Sequence, residues 1–179
     1  MTQVGSVYGE ALYELAKSEG LQESILEELK ALNESFRQEP GFIQLLSSHA
    51  ISKQERCKVL DDSFRGKINQ YVLNFLKIIT EKGYMHHFSH CCEAYTRLYN
   101  EDNNILSVRA VTAVSLTETQ FQALTQKLTR LTGKTILLEN RVDPTCLGGV
   151  RLDYDGQRLD DTISHRLDSV RELLKNTVL

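Results

Sequence analysis

Long apolar runs are missing from this 179-residue chain: none exceeds three residues, as in Ile136 to Leu138. A membrane-spanning helix needs about 20 such residues, so no segment reads as one. Cysteine is scarce too. The four present (Cys57, Cys91, Cys92, Cys146) are too few and too irregularly spaced for a disulfide framework in a chain this long, and they read as reduced cytosolic thiols. Nor is there an excess of positive charge. Lys and Arg number 21 against 24 Asp and Glu, for a net charge of −3, and neither half carries a basic stripe. Binding nucleic acid requires a basic field that neutralises phosphates, so nucleic acid is excluded as the main partner. The first thirty residues include Glu10, Glu14, Glu19 and Glu23. They contain neither the apolar core of a signal peptide nor an acid-poor transit segment. A composition of 41% hydrophobic and 25% charged residues is that of an ordinary soluble globular protein.

What is present begins as helix after helix. Val4, Val7, Tyr8, Ala11, Leu12, Leu15 and Ala16 fall at helical spacing, and Gly20 supplies a stop. A second helix places Ile25, Leu29, Leu32 and Phe36 on one face and ends before Pro40. A short turn with Phe42, Ile43, Leu45 and Leu46 comes next. Ser52 to Glu55 has the spacing of a capping box, which opens a helix through Val59, Leu60 and Phe64 that Gly66 closes. The fifth helix carries Ile68, Tyr71, Val72, Phe75, Leu76 and Ile79 and stops at Gly83. A sixth runs from about Met85 to Tyr99, with Phe88, Cys92, Tyr95 and Tyr99 in register.

The pattern changes at the polar cluster 100–104, a loop by composition. Beyond it Leu106, Val108 and Ala110 alternate with Ser107 and Arg109, as a half-buried strand requires. Thr117 to Gln120 starts a helix through Phe121, Leu124, Leu128 and Leu131, ended by Gly133. A second strand places Ile136, Leu138 and Val142 on alternate positions. Asp155-Gly156 is a favoured two-residue hairpin turn. Pairing outward from it sets Leu152 against Leu159 on the inner face, with Asp153 meeting Arg158 and Arg151 meeting Asp160 outside. Asp161 or Thr162 then caps a last helix with Ile163, Leu167, Val170, Leu174 and Val178 on one side. The expected fold is mainly α: an N-terminal six-helix bundle over 1–104, then a small α+β domain of short strands, a hairpin and two helices over 105–179.

Two helices carry more apolar surface than a core-facing stripe of roughly 100° needs. At 100° per residue, the arc of the first helix spans about 180°, from Val7 through Ala11, Leu15, Tyr8 and Leu12 to Ala16. That of the fifth spans roughly 220°, from Ile78 through Tyr71, Phe75, Ile79, Val72 and Leu76 to Leu73. Either these are central helices of the bundle, or part of each arc lines a groove for a partner helix. Periodicity alone leaves both open.

Several motifs invite a chemical reading and do not sustain it. His86 with His90, and His87 with Cys91, stand at i, i+4 and could chelate zinc, but the two pairs point about 100° apart on a helix and cannot close one tetrahedron. Asp153-Tyr154-Asp155-Gly156 begins like a calcium loop, yet the twelfth position is Ser164 rather than Glu. Gly148-Gly149 lacks the Lys-Ser/Thr of a phosphate loop and reads as a tight turn or a close backbone contact. Ser164, His165 and Asp161 face different ways on a helix and form no triad. No catalytic constellation, metal site or cofactor site is expected.

Patterns at both ends and between them resemble one family. Val7-Tyr8-Gly9-Glu10-Ala11-Leu12 with Ala16 is similar to the first helix of the delta subunit of F-type ATP synthases, whose mitochondrial counterpart is the oligomycin sensitivity conferral protein. Leu76 to Tyr84 looks like the end of that family's fifth helix, and Ala110 to Thr117 like the strand entering its C-terminal domain. Most specific is the tail: Val142-Asp143-Pro144, Leu147-Gly148-Gly149-Val150, then Asp160-Asp161-Thr162-Ile163 and Leu167. Gly9 stands where the family usually has alanine, and Tyr84 where it commonly has arginine.

The resemblance implies a non-catalytic stator protein that links the catalytic hexamer to the peripheral stalk and resists rotor torque. A groove between its first and fifth helices is implied to receive the N-terminal helix of an α subunit. Tyr8, Ala11, Leu12, Leu15, Phe75, Ile78 and Ile79 are the matching positions. The C-terminal domain is implied to hold the ends of the b subunits, around Leu147, Gly148 and Gly149 and along Leu167, Val170 and Leu174 of the final helix. A peripheral protein on the cytoplasmic face of a bacterial cell membrane is expected, with no direct membrane insertion. The alternatives are a generic helical adaptor with an unrelated partner and, more remotely, a zinc enzyme built on His86, His90 and Cys91.

Overall fold

The capping box at Ser52 forms as its spacing requires. Its hydroxyl accepts from the Glu55 amide at 3.2 Å, and the Glu55 carboxylate accepts from the Ser52 amide at 3.0 Å. Each side chain thus satisfies an amide that the first helical turn leaves open. In the computed structural model, which describes residues 3–165 apart from 49, 155 and 164, this helix (α4, Lys53–Phe64) is one of a helical set. The others are α1 (Gln3–Glu19), α2 (Gln22–Gln38), α3 (Pro40–Ser47), α5 (Gln70–Glu81) and α6 (Phe88–Asp102), with a 3-10 turn at Met85–His87. The chain divides into two compact units, 1–99 and 100–179.

Core residues of the first unit come from every helix. Leu12, Tyr13 and Ala16 of α1 lie buried with Ile25, Leu29 and Phe36 of α2, Leu46 of α3 and Leu60 of α4. Val72, Leu76 and Ile79 of α5 and Phe88 and Tyr95 of α6 complete the set. Phe36 joins the elements, its ring packing on Phe42, Phe64 and Phe88 at 5.5, 6.2 and 5.1 Å. Buried Arg56 of α4 donates to the carbonyls of Leu46 (2.8 Å) and Thr80 (3.5 Å). It thereby neutralises the C-terminal ends of α3 and α5, where carbonyls lack helical partners.

Local expectations need four corrections in this unit. The short turn at 42–46 is a full helix, because Pro40 sits in its first turn, where a missing N–H costs nothing. Ile68 precedes α5 instead of belonging to it: Asn69 caps the helix by accepting from the Tyr71 amide, while its own amide donates to Glu28 of α2. The sixth helix opens as a 3-10 turn, so His86 is not on the α-helix that carries His90. It also runs on through Asp102 into the segment expected to be a loop; the turn comes at Asn104, in left-handed backbone.

The second unit holds one sheet of order β2-β1-β3-β4: β1 (Ile105–Thr112), β2 (Thr135–Val142), β3 (Val150–Tyr154) and β4 (Gln157–Asp160). β1 and β2 run parallel, Leu106 beside Ile136 and Val108 beside Leu138, which requires the crossover made by α7 (Glu118–Thr132). Thr117 and Gln120 form a second capping box there, and Gly133 ends the helix in left-handed backbone. β1 is the buried centre, with Leu106, Val108 and Ala110 inward as their alternation demands. The hairpin register matches expectation at every described pair: Tyr154 with Gln157, Asp153 with Arg158, Leu152 with Leu159 and Arg151 with Asp160.

Here too the side chains depart from the pattern. Val142 is exposed, and the inward position before it belongs to Asn140. Its amide donates to the carbonyl of Ala110 and the hydroxyl of Thr112 and accepts from the Leu116 amide, at 2.9 to 3.0 Å. That polar clamp fastens β2 and the entry to α7 onto β1. Leu131 at the end of α7 is 73% exposed, and Leu159 is exposed rather than inward. Arg158 pairs with Asp153 at 3.0 Å as expected. Arg151 stands opposite Asp160 as expected; its Nε also lies 3.5 Å from Asp153, and Asp160 accepts from Thr162.

Candidate functional site

α1 and α5 lie antiparallel. The rings of Tyr8, in the first half of α1, and Tyr84, just after α5, stand 5.9 Å apart. At the opposite end Tyr71 opens α5 beside Glu19, whose charge and hydrogen bond push the phenol's pKa up. Two contacts hold α5 in this position from behind: Glu28 of α2 binds its capping residue, and Lys77 pairs with Asp61 of α4 at 2.7 Å. The hydrogen bond from Lys77 holds the Asp61 carboxyl below its ordinary range.

The wide apolar arcs divide between core and surface. On α1, Gly5, Gly9, Leu12, Tyr13 and Ala16 are buried, while Val7 (58% exposed), Ala11 and Leu15 (40%) face solvent. On α5, Val72, Leu73, Phe75, Leu76 and Ile79 are buried, while Ile78 is 47% exposed. Of the seven positions matched by resemblance, Ala11, Leu15 and Ile78 are thus at the surface and Tyr8 is half-buried between. Leu12, Phe75 and Ile79 are core side chains; Phe75 packs on Phe88 at 6.4 Å. The structure adds Val7, which stood at the edge of the computed arc, and the half-buried rings of Tyr71 and Tyr84.

The second unit presents a different feature. Leu147 is 65% exposed and adopts left-handed backbone at φ 61°, unusual for a side chain of its size. Asp143 shapes the turn before it, its carboxylate accepting from the amide (3.0 Å) and hydroxyl (2.6 Å) of Thr145. Asp160 makes the same pair of bonds to Thr162. These bonds draw both carboxyls below the usual range. The double glycine is a close backbone contact. Gly149 has φ +83°, and a β-carbon there would stand 2.5 Å from the Asp161 carbonyl oxygen. The Gly148 carbonyl accepts from the Ile163 amide at 3.0 Å, and Thr162 caps the helix start by accepting from His165. Leu167, Val170 and Leu174 lie outside the described residues.

Among the described residues no group of three or more His, Cys, Asp or Glu is placed to hold a metal ion. Cys91 is buried and its thiol pushed to about 11. Cys92 is buried too, its Sγ turned to the Leu29 carbonyl. No helix among the described residues is long and apolar enough to cross a membrane.

A helical unit with an open apolar strip, followed by a small βαβ-and-hairpin unit, defines a two-part protein whose most distinctive surface is apolar. The family described as ATP synthase delta (OSCP) subunit matches residues 4–174. ATP synthase subunit delta of Alkaliphilus oremlandii is 33% identical over 98% of both chains, and that of Clostridioides difficile is 29% identical over 98% of this chain and 97% of its own. A chain in the cryo-EM structure of the Toxoplasma gondii mitochondrial ATP synthase hexamer shares the fold, with a TM-score of 0.79 over 97% of this chain and 98% of that one at 20% identity. The chain belongs to the ATP synthase delta (OSCP) subunit family, the peripheral-stalk subunits of F-type ATP synthases.

Proposed function

We propose that this chain is a non-catalytic stator subunit that joins the catalytic hexamer to the b-subunit stalk. Residues 1–104 act as a six-helix bundle that receives the N-terminal helix of an α subunit. Residues 105–179 hold the C-terminal ends of the b subunits, through Leu147, Gly148 and Gly149 and the final helix with Leu167, Val170 and Leu174. The assembly stands on the cytoplasmic face of a bacterial cell membrane.

The observation that supports this reading best is the exposed strip of Val7, Ala11 and Leu15 on α1, together with exposed Ile78 on antiparallel α5. An amphipathic helix laid along it meets apolar side chains at the spacing of successive turns. Leu12, Phe75 and Ile79 are buried and Tyr8 is half-buried, and in this reading they back the strip. A rotary motor works only if its hexamer is kept from turning with the rotor. A joint of broad apolar contact suits that, because it dissociates slowly.

The test is a calorimetric titration of the full chain with a peptide of the first two dozen or so residues of the α subunit. Tight one-to-one binding is expected. Ala11→Asp should abolish it while leaving the helical circular dichroism nearly unchanged, because Ala11 is exposed and a buried carboxylate on the docked face lacks a partner. Normal peptide affinity in that variant refutes the placement of the site. Absence of binding in the native chain favours the helical adaptor with an unrelated partner.

A further inference from the structure

The exposed face of α1 is unevenly charged along its length. From Gln3 to Gly9 the helix has no charged side chain, whereas its second half carries Glu14 and Glu19. At 100° per residue Glu14 falls within about 20° of Val7, two turns on, so it stands in the same exposed row as Val7, Ala11 and Leu15. Glu19 comes one turn after Leu15 and bonds the phenol of Tyr71 at the start of α5. Two further charges of α1 turn away from the row. Glu10 pairs with Arg97 of α6 at 3.3 Å, and Lys17 stands over the ring of buried Tyr13 at 6.0 Å.

α5 has the opposite sign at the opposite end. Its Lys77 and Glu81 are both engaged by α4: Lys77 pairs with Asp61 at 2.7 Å, and Glu81 accepts from the Cys57 thiol. Lys82 at the end of the helix is exposed, one turn past Ile78 and about 40° round the axis from it. Tyr84, two residues on, meets Tyr8 at 5.9 Å. Lys82 therefore lies at the end of the α1–α5 face where α1 has no charge, and Glu14 and Glu19 lie toward the other end.

The apolar row cannot by itself decide which way round a helix docks. Val7, Ala11 and Leu15 repeat at one-turn spacing, so a helix turned end for end meets the same kind of surface. Charge breaks that symmetry. An exposed ion pair adds little affinity, but the wrong orientation also brings like charges together, so the two orientations differ by more than either pair is worth.

We infer that this polarity selects and orients the ligand: the α1–α5 face takes an amphipathic helix whose polar flank carries cations where it passes Glu14 and Glu19 and carboxylates where it passes Lys82. The inference rests on the docking role proposed above and supplies the orientation that the role leaves open. The apolar side chains provide the affinity; Glu14 and Lys82 determine the specificity.

The experiment titrates the full chain with the α-subunit peptide described above at about 50 and about 500 mM salt, and records amide NMR spectra with a nitroxide at one end of the peptide or the other. The nitroxide at the end richer in Lys and Arg should broaden the amides of Leu15 to Glu19 and spare those of Lys82 to Tyr84. Glu14→Lys and Lys82→Glu should each weaken Kd about fivefold at the lower salt and far less at the higher. Both side chains are exposed, so circular dichroism should stay unchanged. A peptide with its Lys and Arg changed to Glu should bind Glu14→Lys better than it binds the native chain. Native affinity in both variants overturns the inference, as does the reverse broadening pattern or tight binding of a peptide with no excess of cations at either end. In those cases the docking role stands and the polarity alone falls; if the native chain binds no peptide at either salt, the docking role falls and takes the polarity with it.

Discussion

Replacing Gly9 by alanine should destabilise the helical unit, although alanine is the better helix former. In an open helix the exchange favours folding by roughly 0.5 to 1 kcal/mol. Here the added β-carbon would stand 2.5 Å from the Cys91 carbonyl oxygen and 2.8 Å from the β-carbon of Ala94. Neither atom can rotate away, so α1 must lift from α6 by on the order of 1 Å. Overpacking of this kind costs about 1–3 kcal/mol, and the lift also loosens Leu12, Tyr13 and Ala16 against their neighbours. The net loss is about 1–2 kcal/mol, which for a unit of this size lowers Tm by roughly 5–15 °C. Thermal unfolding measured alongside Gly41→Ala makes the test sharp. Gly41 lies in the first turn of α3 with open space around its Cα, so that variant should hold or raise Tm. If Gly9→Ala raises Tm as well, α1 does not lie on α6 at backbone contact and the argument fails.

Three further outcomes are expected. Arg56→Ala leaves the buried carbonyls of Leu46 and Thr80 without their donor and should lose about 2–3 kcal/mol in chemical denaturation; an unchanged midpoint means those carbonyls find other partners. Asn140→Ala removes all three bonds that tie β2 and the α7 entry to β1 and should cost about 2–3 kcal/mol, read as faster amide exchange across β1 and β2. Thiol labelling at pH 7.5 should modify half-exposed Cys57 slowly, its pKa being raised by burial and Glu81, and spare buried Cys91, Cys92 and Cys146 until denaturant is added. Prompt labelling of Cys91 or Cys92 in the native protein contradicts their burial.

The sequence by itself determined the local elements and the family. The capping box at Ser52, the helix start at Thr117, glycine stops at Gly83 and Gly133 and the hairpin register around 155–156 are short-range signals, complete within a few residues, and each was readable before any packing was known. The motif order from Val7 to Ile163 placed the chain in its family, and the comparisons agree. What periodicity left undecided was which part of an apolar arc is core. Leu12 and Leu15 look alike in sequence, yet one is buried and the other faces solvent. The difference lies in where α2, α5 and α6 approach α1, and no local pattern encodes that. The same holds for Asn140, a polar residue at an inward strand position because Ala110, Thr112 and Leu116 converge on it from other segments. It holds equally for Gly9, whose missing side chain has meaning only against Cys91 and Ala94 some eighty residues away. Helix ends and turns follow from neighbours along the chain. Exposure and close approach follow from neighbours in space, and the tertiary structure alone supplies those.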